Sequence, residues 1–212
     1  MAGSDAWHGE ALQRALEAVL QTRRLDLEPL AERHVDELWA PLADPLLYQH
    51  VPQDPPQSLD ALRERFALLS QRRSPQGDQL WLNWVMRERS DGGSRGRLQA
   101  TVTADAQAWI AYEVFPPFWG QGFAIEGGRR IVEWLIDELG VRELVAEVDS
   151  LNAASLKLLD RLGFQRTSFR AAADRFKGRV SDEWTLRLAA DTFVRDEPPA
   201  LSGGGVRQPG SR

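Results

Sequence analysis

Apolar residues recur along the chain with two different periods, one helical and one strand-like. Helical spacing predicts five helices, over residues 5–21, 31–43, 58–71, 124–139 and 153–162. Gly140 and Gly163 follow the last two helices, where glycine commonly ends a helix, and Asn152 is placed to cap the last one. Alternation of apolar and polar residues predicts seven strands, over residues 22–30, 79–87, 97–105, 109–115, 142–148, 164–170 and 181–188.

The order of these elements predicts the fold class. A meander with a turn at residues 91–93 precedes a strand–helix crossover, which is typical of an α+β domain. We expect a single domain with a central mixed, mostly antiparallel sheet of about six to seven strands and helices on both faces. Residues 22–190 should form this domain, after an amphipathic helix at 1–21 and before a disordered tail at 191–212. The N-terminal helix either packs on the domain or pairs with a second copy in a homodimer.

Length and composition limit the classes of function. A chain of 212 residues can bury a core without disulfides, and its 42% hydrophobic and 27% charged residues are typical of a soluble globular protein. No apolar run is long enough to cross a membrane, and the polar N-terminus has no signal-peptide pattern. We therefore expect a cytoplasmic protein with no membrane partner. The net charge of −5 argues against a nucleic-acid partner, which needs a basic stripe.

Cysteine and histidine usage removes two further kinds of chemistry. The chain has no cysteine, so disulfides, thiolate metal sites and cysteine nucleophiles are excluded. Its three histidines, His8, His34 and His50, do not have the spacing of metal ligands on one helix. We therefore predict no metal.

A glycine-containing turn at residues 118–124 lies between a predicted strand and a predicted helix. Backbone N–H groups at a helix N-terminus bind anions, and Gly120 and Gly122 would let phosphate oxygens approach them closely. The same glycines can serve only to turn the chain, and the motif alone supports both interpretations equally. Two other nucleotide motifs fit worse, because a P-loop needs Gly-Lys-Ser/Thr and a dinucleotide fingerprint needs a glycine where Ile125 stands.

Three linked motifs carry a resemblance to a known family. Residues 111–126, with the sequence AYEVFPPFWGQGFAIE, are followed by Asn152-Ala-Ala-Ser155 and Leu162-Gly163-Phe164. Together they closely resemble the GCN5-related N-acetyltransferase superfamily, and its ribosomal-protein-alanine acetyltransferases most of all. The resemblance extends more loosely from residue 22 to about residue 188. It implies an acyl-CoA-dependent N-acyltransferase that moves acetyl from acetyl-CoA to a primary amine on a protein, a peptide or a small molecule.

The same resemblance implies which residues hold coenzyme A. The strand before the turn splays from its neighbour, so the backbone at Val114 and Phe115 would hold the pantetheine arm. Asn152 and Ser155 would face the pantetheine end, although both are equally well explained as the cap and first turn of a helix. Apart from the resemblance, either Arg129 and Arg130, or Lys157 and Arg161 at i, i+4, are candidates to pair with the cofactor's phosphates, although solvated helix faces commonly look the same. The second pair could reach the 3′-phosphate. The pyrophosphate cradle would consist of Trp119, Gly120, Gln121, Gly122, Phe123 and Ala124.

Catalytic roles follow from the chemistry of amine attack on a thioester, which needs a base, an oxyanion donor and an acid. The resemblance assigns the oxyanion to the N–H of Val114 and protonation of the departing sulfur to Ser155. The base is either Asp174 or Glu113, with Asp174 slightly favoured, although a turn residue and a solvent-facing strand carboxylate are the commoner explanations of these two. Tyr48 and His50 lie where the family forms its acceptor pocket.

The sequence departs from the family pattern at two places. Trp119 stands where the family usually has Arg or Gln, and Gly127 or Gly128 stands where it usually has Ala. A glycine pair inside a helix indicates close packing or extra room beside the cofactor, and extra room would suit an acyl donor longer than acetyl. A binding module that keeps the fold without turnover is the alternative from another class of function.

Overall fold

A single sheet organises the chain. The computed structural model describes residues 9–195, and its eight strands lie in the order β1-β2-β3-β4-β5-β6-β8-β7. The strands are β1 (Leu20–Gln21), β2 (Leu25–Pro29), β3 (Gln79–Glu88), β4 (Ser94–Thr103), β5 (Gln107–Val114), β6 (Glu143–Asp149), β7 (Gln165–Phe176) and β8 (Arg179–Ala189). The α-helices are α1 (Glu10–Glu17), α2 (Val35–Leu42), α3 (Leu59–Ser70), α4 (Phe123–Leu139) and α5 (Ala153–Leu162).

Strand directions confirm the predicted fold class. Every neighbouring pair is antiparallel except β5 and β6, which run parallel because α4 crosses over between them. The sheet is therefore mixed and mostly antiparallel, in one α+β domain. It has slightly more strands than expected, because the two-residue strand β1 adds an eighth.

The core divides between the two faces of the sheet. Along β3, Leu82, Trp84 and Met86 pack with α1, α4 and α5, whereas Val85 packs with α2 and α3 on the other face. This alternation follows from the two-residue period of a strand. The predicted placement of helices on both faces is confirmed. The site therefore borders two different environments, one formed with α4 and α5 and the other with α2 and α3.

The N-terminal helix was predicted too long at its C-terminal end. It ends at Glu17, because Ala18 already has an extended backbone, and Leu20 then pairs with Leu27 as part of β1. Leu20 is buried in the strand, and an apolar residue would be buried on a helix of this kind as well. Its apolar character therefore did not distinguish a helix from a strand. The predicted start of the helix at residues 5–8 lies outside the described residues. The disordered tail was predicted to begin too early, because Ala190–Thr192 form a 3₁₀ turn and Phe193 is buried in the core. Residues 196–212 of that tail lie outside the described residues.

The final hairpin is longer than the sequence pattern indicated. β7 runs to Phe176 and is exposed along nearly its whole length, so it has no apolar alternation to reveal it. Lys177 and Gly178 both have positive φ and form the two-residue turn to β8. Between residues 9 and 195, no helix combines the length and the apolar character that a membrane crossing requires.

Candidate functional site

The parallel strands β5 and β6 separate partway along their length. They pair only from Gln107 to Trp109 on β5, opposite Glu143 to Val145 on β6. β5 continues to Val114 while still paired with β4, and β6 continues to Asp149 while still paired with β8. A gap therefore opens in the middle of the sheet between the C-terminal ends of β5 and β6.

The backbone of Val114 faces this gap. The N–H of Phe115 donates to the carbonyl of Arg95 at 2.9 Å, so Phe115 is turned toward β4. Backbone groups of successive residues in an antiparallel strand point to opposite edges, so those of Val114 point toward β6. The Val114 carbonyl accepts a hydrogen bond from Trp119 Nε1 at 2.5 Å. The side chain of Phe115 is buried in the core, which leaves only its backbone to contact a ligand.

The glycine turn after β5 leads directly into α4. Gly120 and Gly122 have φ of 74° and 83°, which side-chain-bearing residues rarely adopt. Gly122 is the N-cap of α4, and no side chain caps the helix there. The first N–H groups of α4, beginning at Phe123 and Ala124, therefore lack the usual capping oxygen, and an anion can supply it. A Cβ at Gly120 would meet nothing within 4 Å, so backbone conformation, rather than crowding, requires glycine there.

Arg24 brings a positive charge to this turn. Its Nη1 donates to the carbonyl of Gln121 at 3.1 Å, its Nε pairs with Glu126 at 2.6 Å, and its guanidinium stacks 4.5 Å from the ring centroid of Phe123. Burial raises the pKa of Glu126, but hydrogen bonds from Thr22 and Arg24 outweigh it and hold that pKa below its usual value. The sequence carries no local signal for Arg24, because about a hundred residues separate it from the turn that it contacts.

The N-terminus of α5 places Ser155 beside β5. Asn152 Oδ1 accepts the N–H of Ser155 at 3.0 Å, so Asn152 does cap the helix. Ser155 Oγ lies 2.7 Å from the hydroxyl of Tyr112, which also donates to the Ser155 carbonyl at 3.1 Å. Burial raises the pKa of Tyr112 to about 12, against a lowering by its hydrogen bond to Ser155. Tyr112 was also missed, although its position two residues before Val114 places both on one face of β5.

Lys157 and Arg161 are exposed on α5. Their i, i+4 spacing puts them on one side of the helix, and in residues 9–195 neither forms an ion pair. Trp119 is also largely exposed, with its indole folded back over the end of β5. The structure thus leaves both cations accessible to a ligand at the turn side of the sheet.

The glycine pair in α4 is a packing device. A Cβ at Gly127 would lie 2.9 Å from Leu98 Cδ1 and 3.2 Å from Met86 Sδ, and one at Gly128 would lie 3.3 Å from Leu162 Cδ1. Both glycines are buried, so α4 approaches β3, β4 and α5 closely at this point. The glycines therefore do not open a space for a longer acyl chain.

Glu113 lies on the opposite face of β5, which α2 and α3 cover. It forms a close ion pair with Arg97 of β4, whose guanidinium lies 5.7 Å from the ring centroid of Phe66 in α3. Tyr48 is close to this pair and buried, with its hydroxyl donating to the carbonyl of Leu42 at 2.9 Å. Burial, with the nearby charge of Glu113, raises the pKa of Tyr48.

A short 3₁₀ turn, Pro45–Tyr48, positions Tyr48 and the residues after it. Asp44 caps this turn by accepting the N–H of Leu46 at 2.9 Å, and Pro45 is its first residue. Further along, Lys177 of the β7–β8 turn donates to the carbonyl of Gln53 at 2.9 Å and pairs with Asp54. These contacts hold the segment at residues 49–54 against the hairpin.

His50 lies in that segment beside the end of β6. Its Nδ1 is 3.7 Å from Oδ1 of Asp149, whose carboxylate is only 2% exposed. Asp149 also accepts hydrogen bonds at 2.5 Å from Ser181 Oγ and from Arg179 Nη2, and one at 2.8 Å from the N–H of Leu151. Burial raises the pKa of Asp149, but the lowering by these hydrogen bonds is larger. Its pKa therefore lies below the ordinary value.

Asp174 lies on the edge strand β7, opposite Ser181 in register, and Ser181 is the residue whose hydroxyl donates to Asp149. The side chain of Asp174 is exposed, and its Oδ1 accepts the N–H of Arg175 at 2.7 Å. The structure therefore brings Tyr48, His50 and Glu113 to one end of the gap and leaves Asp174 on the outer strand. Among the described residues, no group of three or more metal-ligating side chains occurs.

Comparison with known proteins places this geometry in a family. Residues 24–165 match the model of the acetyltransferase (GNAT) domain. The chain is 27% identical over 190 residues to the FsC-acetyl coenzyme A-N(2)-transacetylase of Aspergillus fumigatus, which covers 86% of this chain and 81% of that protein. It is 23% identical over 169 residues to the uncharacterized N-acetyltransferase p20 of Bacillus licheniformis, covering 80% of this chain and 94% of that protein.

Solved structures share the fold. A probable GNAT-family acetyltransferase from Chromobacterium violaceum superposes with a TM-score of 0.70 at 26% identity, covering 82% of this chain and 87% of that one. The ribosomal L7/L12 alpha-N-protein acetyltransferase RimL, solved in complex with coenzyme A, gives a TM-score of 0.71 at 18% identity, covering 81% and 98%. At that identity the second likeness concerns the fold alone.

Proposed function

We propose that this chain, which belongs to the GNAT acetyltransferase family, transfers acetyl from acetyl-CoA to a primary amine by direct attack in a ternary complex. The observation that carries the proposal is the gap between β5 and β6, with the backbone of Val114 turned into it. An extended amide-containing arm can hydrogen-bond there as a strand would. The uncapped start of α4 lies at the end of the same strand, where it suits a pyrophosphate.

The residues present fit coenzyme A on the α4–α5 face of the sheet. Gly120 and Gly122 keep the turn open, Arg24 adds a cation, and Lys157 and Arg161 are accessible for the 3′-phosphate. The amide Nδ2 of Asn152 has no partner within the described residues, so it can donate to the pantetheine arm while Oδ1 caps the helix. Acetyl-CoA supplies the activated acyl group.

The acceptor amine would approach from the α2–α3 face, where Tyr48, His50 and Glu113 lie. The N–H of Val114 points into the gap, where it would stabilise negative charge on a thioester oxygen, and Ser155 Oγ, at the start of α5, would give a proton to the departing sulfur. Because the chain has no cysteine, attack without a cysteinyl-enzyme intermediate is the simplest route. Among the relatives, the names of RimL and the FsC transacetylase indicate a protein N-terminus and an N(2) position.

Two measurements test this function. Calorimetry with coenzyme A measures binding, and release of its thiol from acetyl-CoA measures transfer to a panel of amines: a short peptide with a free N-terminus, an aminoglycoside and a polyamine. We expect binding and amine-dependent thiol release. Binding without release across the panel would instead favour a non-catalytic acyl-CoA-binding module. A cytoplasmic location and the homodimer stay predictions, the latter checked by light scattering with and without residues 1–20.

A further inference from the structure

We infer that His50, positioned by Asp149, is the general base of the transfer reaction. This inference rests on the proposed function and names a residue for the one role that the two carboxylates expected from sequence do not fill well. Glu113 is already committed to its ion pair with Arg97. Asp174 is exposed on the outer strand, hydrogen-bonded to its own neighbour.

The orientation of the imidazole supports a catalytic pair of His50 and Asp149. Nδ1 of His50 is fully buried and, among the described residues, has no hydrogen-bond partner, while 30% of the side chain is exposed. The exposed surface therefore belongs to the rest of the ring. Water does not reach the buried Nδ1, and Oδ1 of the Asp149 carboxylate lies 3.7 Å from it. A small closing movement makes this a hydrogen bond, as is common for catalytic groups when substrate binds.

That contact would fix the tautomer. With the proton on Nδ1 directed to Asp149, the lone pair is on Nε2, which is the arrangement a neutral histidine base requires. Asp149 is itself held rigidly by Ser181, Arg179 and the N–H of Leu151. Asp149 is therefore a positioning residue, whose buried negative charge also stabilises the imidazolium that forms.

Position along the strands places this catalytic pair at the reacting end of the gap. The parallel register ends with Trp109 opposite Val145, and counting four residues further along both strands puts Glu113 and Asp149 at the same level, on the two sides of the gap. Val114, with its backbone in the gap, is the next residue of β5. The charged and titratable groups around His50 are Asp149 of β6, Arg179 of β8, and, through Tyr48, the Glu113–Arg97 pair of β5 and β4.

The reaction balances with these groups. The acceptor enters as an ammonium ion, which gives one proton to Nε2 of His50. The freed nitrogen lone pair forms the N–C bond, the C–S bond breaks with its electron pair on sulfur, and the nitrogen loses a second proton as the amide forms. One proton ends on the sulfur through Ser155 Oγ, and the other leaves to solvent from His50.

The test is the pH dependence of kcat/KM in His50→Gln, measured with acetyl-CoA and whichever panel amine reacts. We expect kcat/KM to fall by about 10²–10⁴-fold near neutral pH, with partial rescue by added imidazole. The decline of kcat/KM on the acidic side of the pH profile, the acidic limb, should disappear. Glu113→Gln and Asp174→Asn are the comparison variants, and both should keep the acidic limb. Coenzyme A affinity by calorimetry should be unchanged in His50→Gln, which shows that the protein remains folded.

The Asp149→Asn variant tests the positioning role of Asp149. It should lower kcat more than it raises KM and displace the acidic limb, whereas a purely structural role would lower the amount of folded protein without moving the limb. If the wild type is active and His50→Gln keeps both its rate and its acidic limb, the base assignment is overturned while the proposed function stands. If the wild type binds coenzyme A but releases no thiol with any amine, both are overturned.

Discussion

The hydroxyl of Tyr112 lies 2.7 Å from Ser155 Oγ, which joins the end of β5 to the first turn of α5 across the gap. Tyr112 also donates to the Ser155 carbonyl, so the serine is held from two sides. Because burial raises the pKa of Tyr112 to about 12, the phenol stays neutral at physiological pH. The neutral phenol can therefore position the serine hydroxyl through this hydrogen bond.

Replacing Tyr112 with Phe tests this relationship. We expect kcat to fall by about tenfold, because one charge-free hydrogen bond contributes about 0.5–1.5 kcal/mol, while KM for acetyl-CoA changes little. Ser155→Ala should lower kcat at least as much. In the double variant the effects should be less than additive, since the two hydroxyls are hydrogen-bonded to each other. Fully additive losses in steady-state kinetics would show that the two hydroxyls act independently.

Arg24 should contribute to donor affinity. Arg24→Gln removes the cation beside the turn and leaves the Glu126 carboxylate uncompensated near the pyrophosphate position. We expect binding of coenzyme A to weaken by about 10- to 100-fold in calorimetry, because a charge-assisted contact contributes about 1.5–3 kcal/mol. Arg23→Gln is the matched control, since Arg23 is an exposed neighbour.

Calorimetric titrations with two ligands distinguish contacts to the pyrophosphate from contacts to the 3′-phosphate. The loss in Arg24→Gln should persist with dephospho-coenzyme A, which lacks the 3′-phosphate. A Lys157→Gln, Arg161→Gln double variant should instead weaken coenzyme A but leave dephospho-coenzyme A unaffected. An equal loss with both ligands would remove Lys157 and Arg161 from the 3′-phosphate site.

Gly127→Ala should destabilise the domain despite the better helix propensity of alanine. The new Cβ would lie 2.9 Å from Leu98 Cδ1 in the core, and overpacking of this kind costs about 1–3 kcal/mol, whereas alanine gains about 1 kcal/mol over glycine in a helix. Gly128→Ala, with its nearest contact at 3.3 Å, is the milder control. Urea unfolding should rank wild type above Gly127→Ala, and a more stable Gly127→Ala would contradict the packing explanation.

His34 should make stability depend on pH. Its Nδ1 accepts the N–H of Ala31 at 3.1 Å and its Nε2 faces Glu28 at 3.1 Å, so the neutral ring with the proton on Nε2 satisfies both contacts. Burial, with the charge of Arg33, lowers the pKa of His34 from the ordinary 6.5. The unfolded chain therefore binds the proton more tightly, and the free energy of unfolding should fall as pH drops below about 6.5 until the buried ring is protonated.

Urea unfolding between pH 7.5 and 5 measures this slope. In His34→Gln the unfolding free energy should be lower at pH 7.5 but flatter across that range. The carboxylates of Glu28 and Glu37, whose pKa values are lowered against burial mainly by Arg87, act below this window. A slope unchanged in His34→Gln would assign the pH dependence to another group.

The local structure on the proposed donor side could be predicted from sequence, because its parts are close together along the chain. The turn at Gly120 and Gly122, the helix after it and the cap at Asn152 each follow from residues within one short segment. Arg24 and Tyr112 could not be found in this way, because their partners are 97 and 43 residues away. A local pattern carries no signal for such contacts.

The acceptor side depends on tertiary placement throughout. His50 lies beside Asp149 on a segment whose residues 53 and 54 contact the β7–β8 turn, and the length of that hairpin was itself underestimated. The interpretation of Gly127 and Gly128 illustrates the same limit. Their sequence left packing and extra room as equal alternatives, and the neighbouring side chains of Leu98 and Leu162 decide for packing.

The parting of β5 and β6 also bears on inhibitor design. The sheet itself separates the α4–α5 face from the α2–α3 face, and the opening beside Val114 joins them. A bisubstrate compound would have to thread this opening, so the length of its linker, more than the chemistry of its ends, should set its potency. The two ends could then be optimised separately, since the residues that would bind each end lie on opposite faces of the sheet.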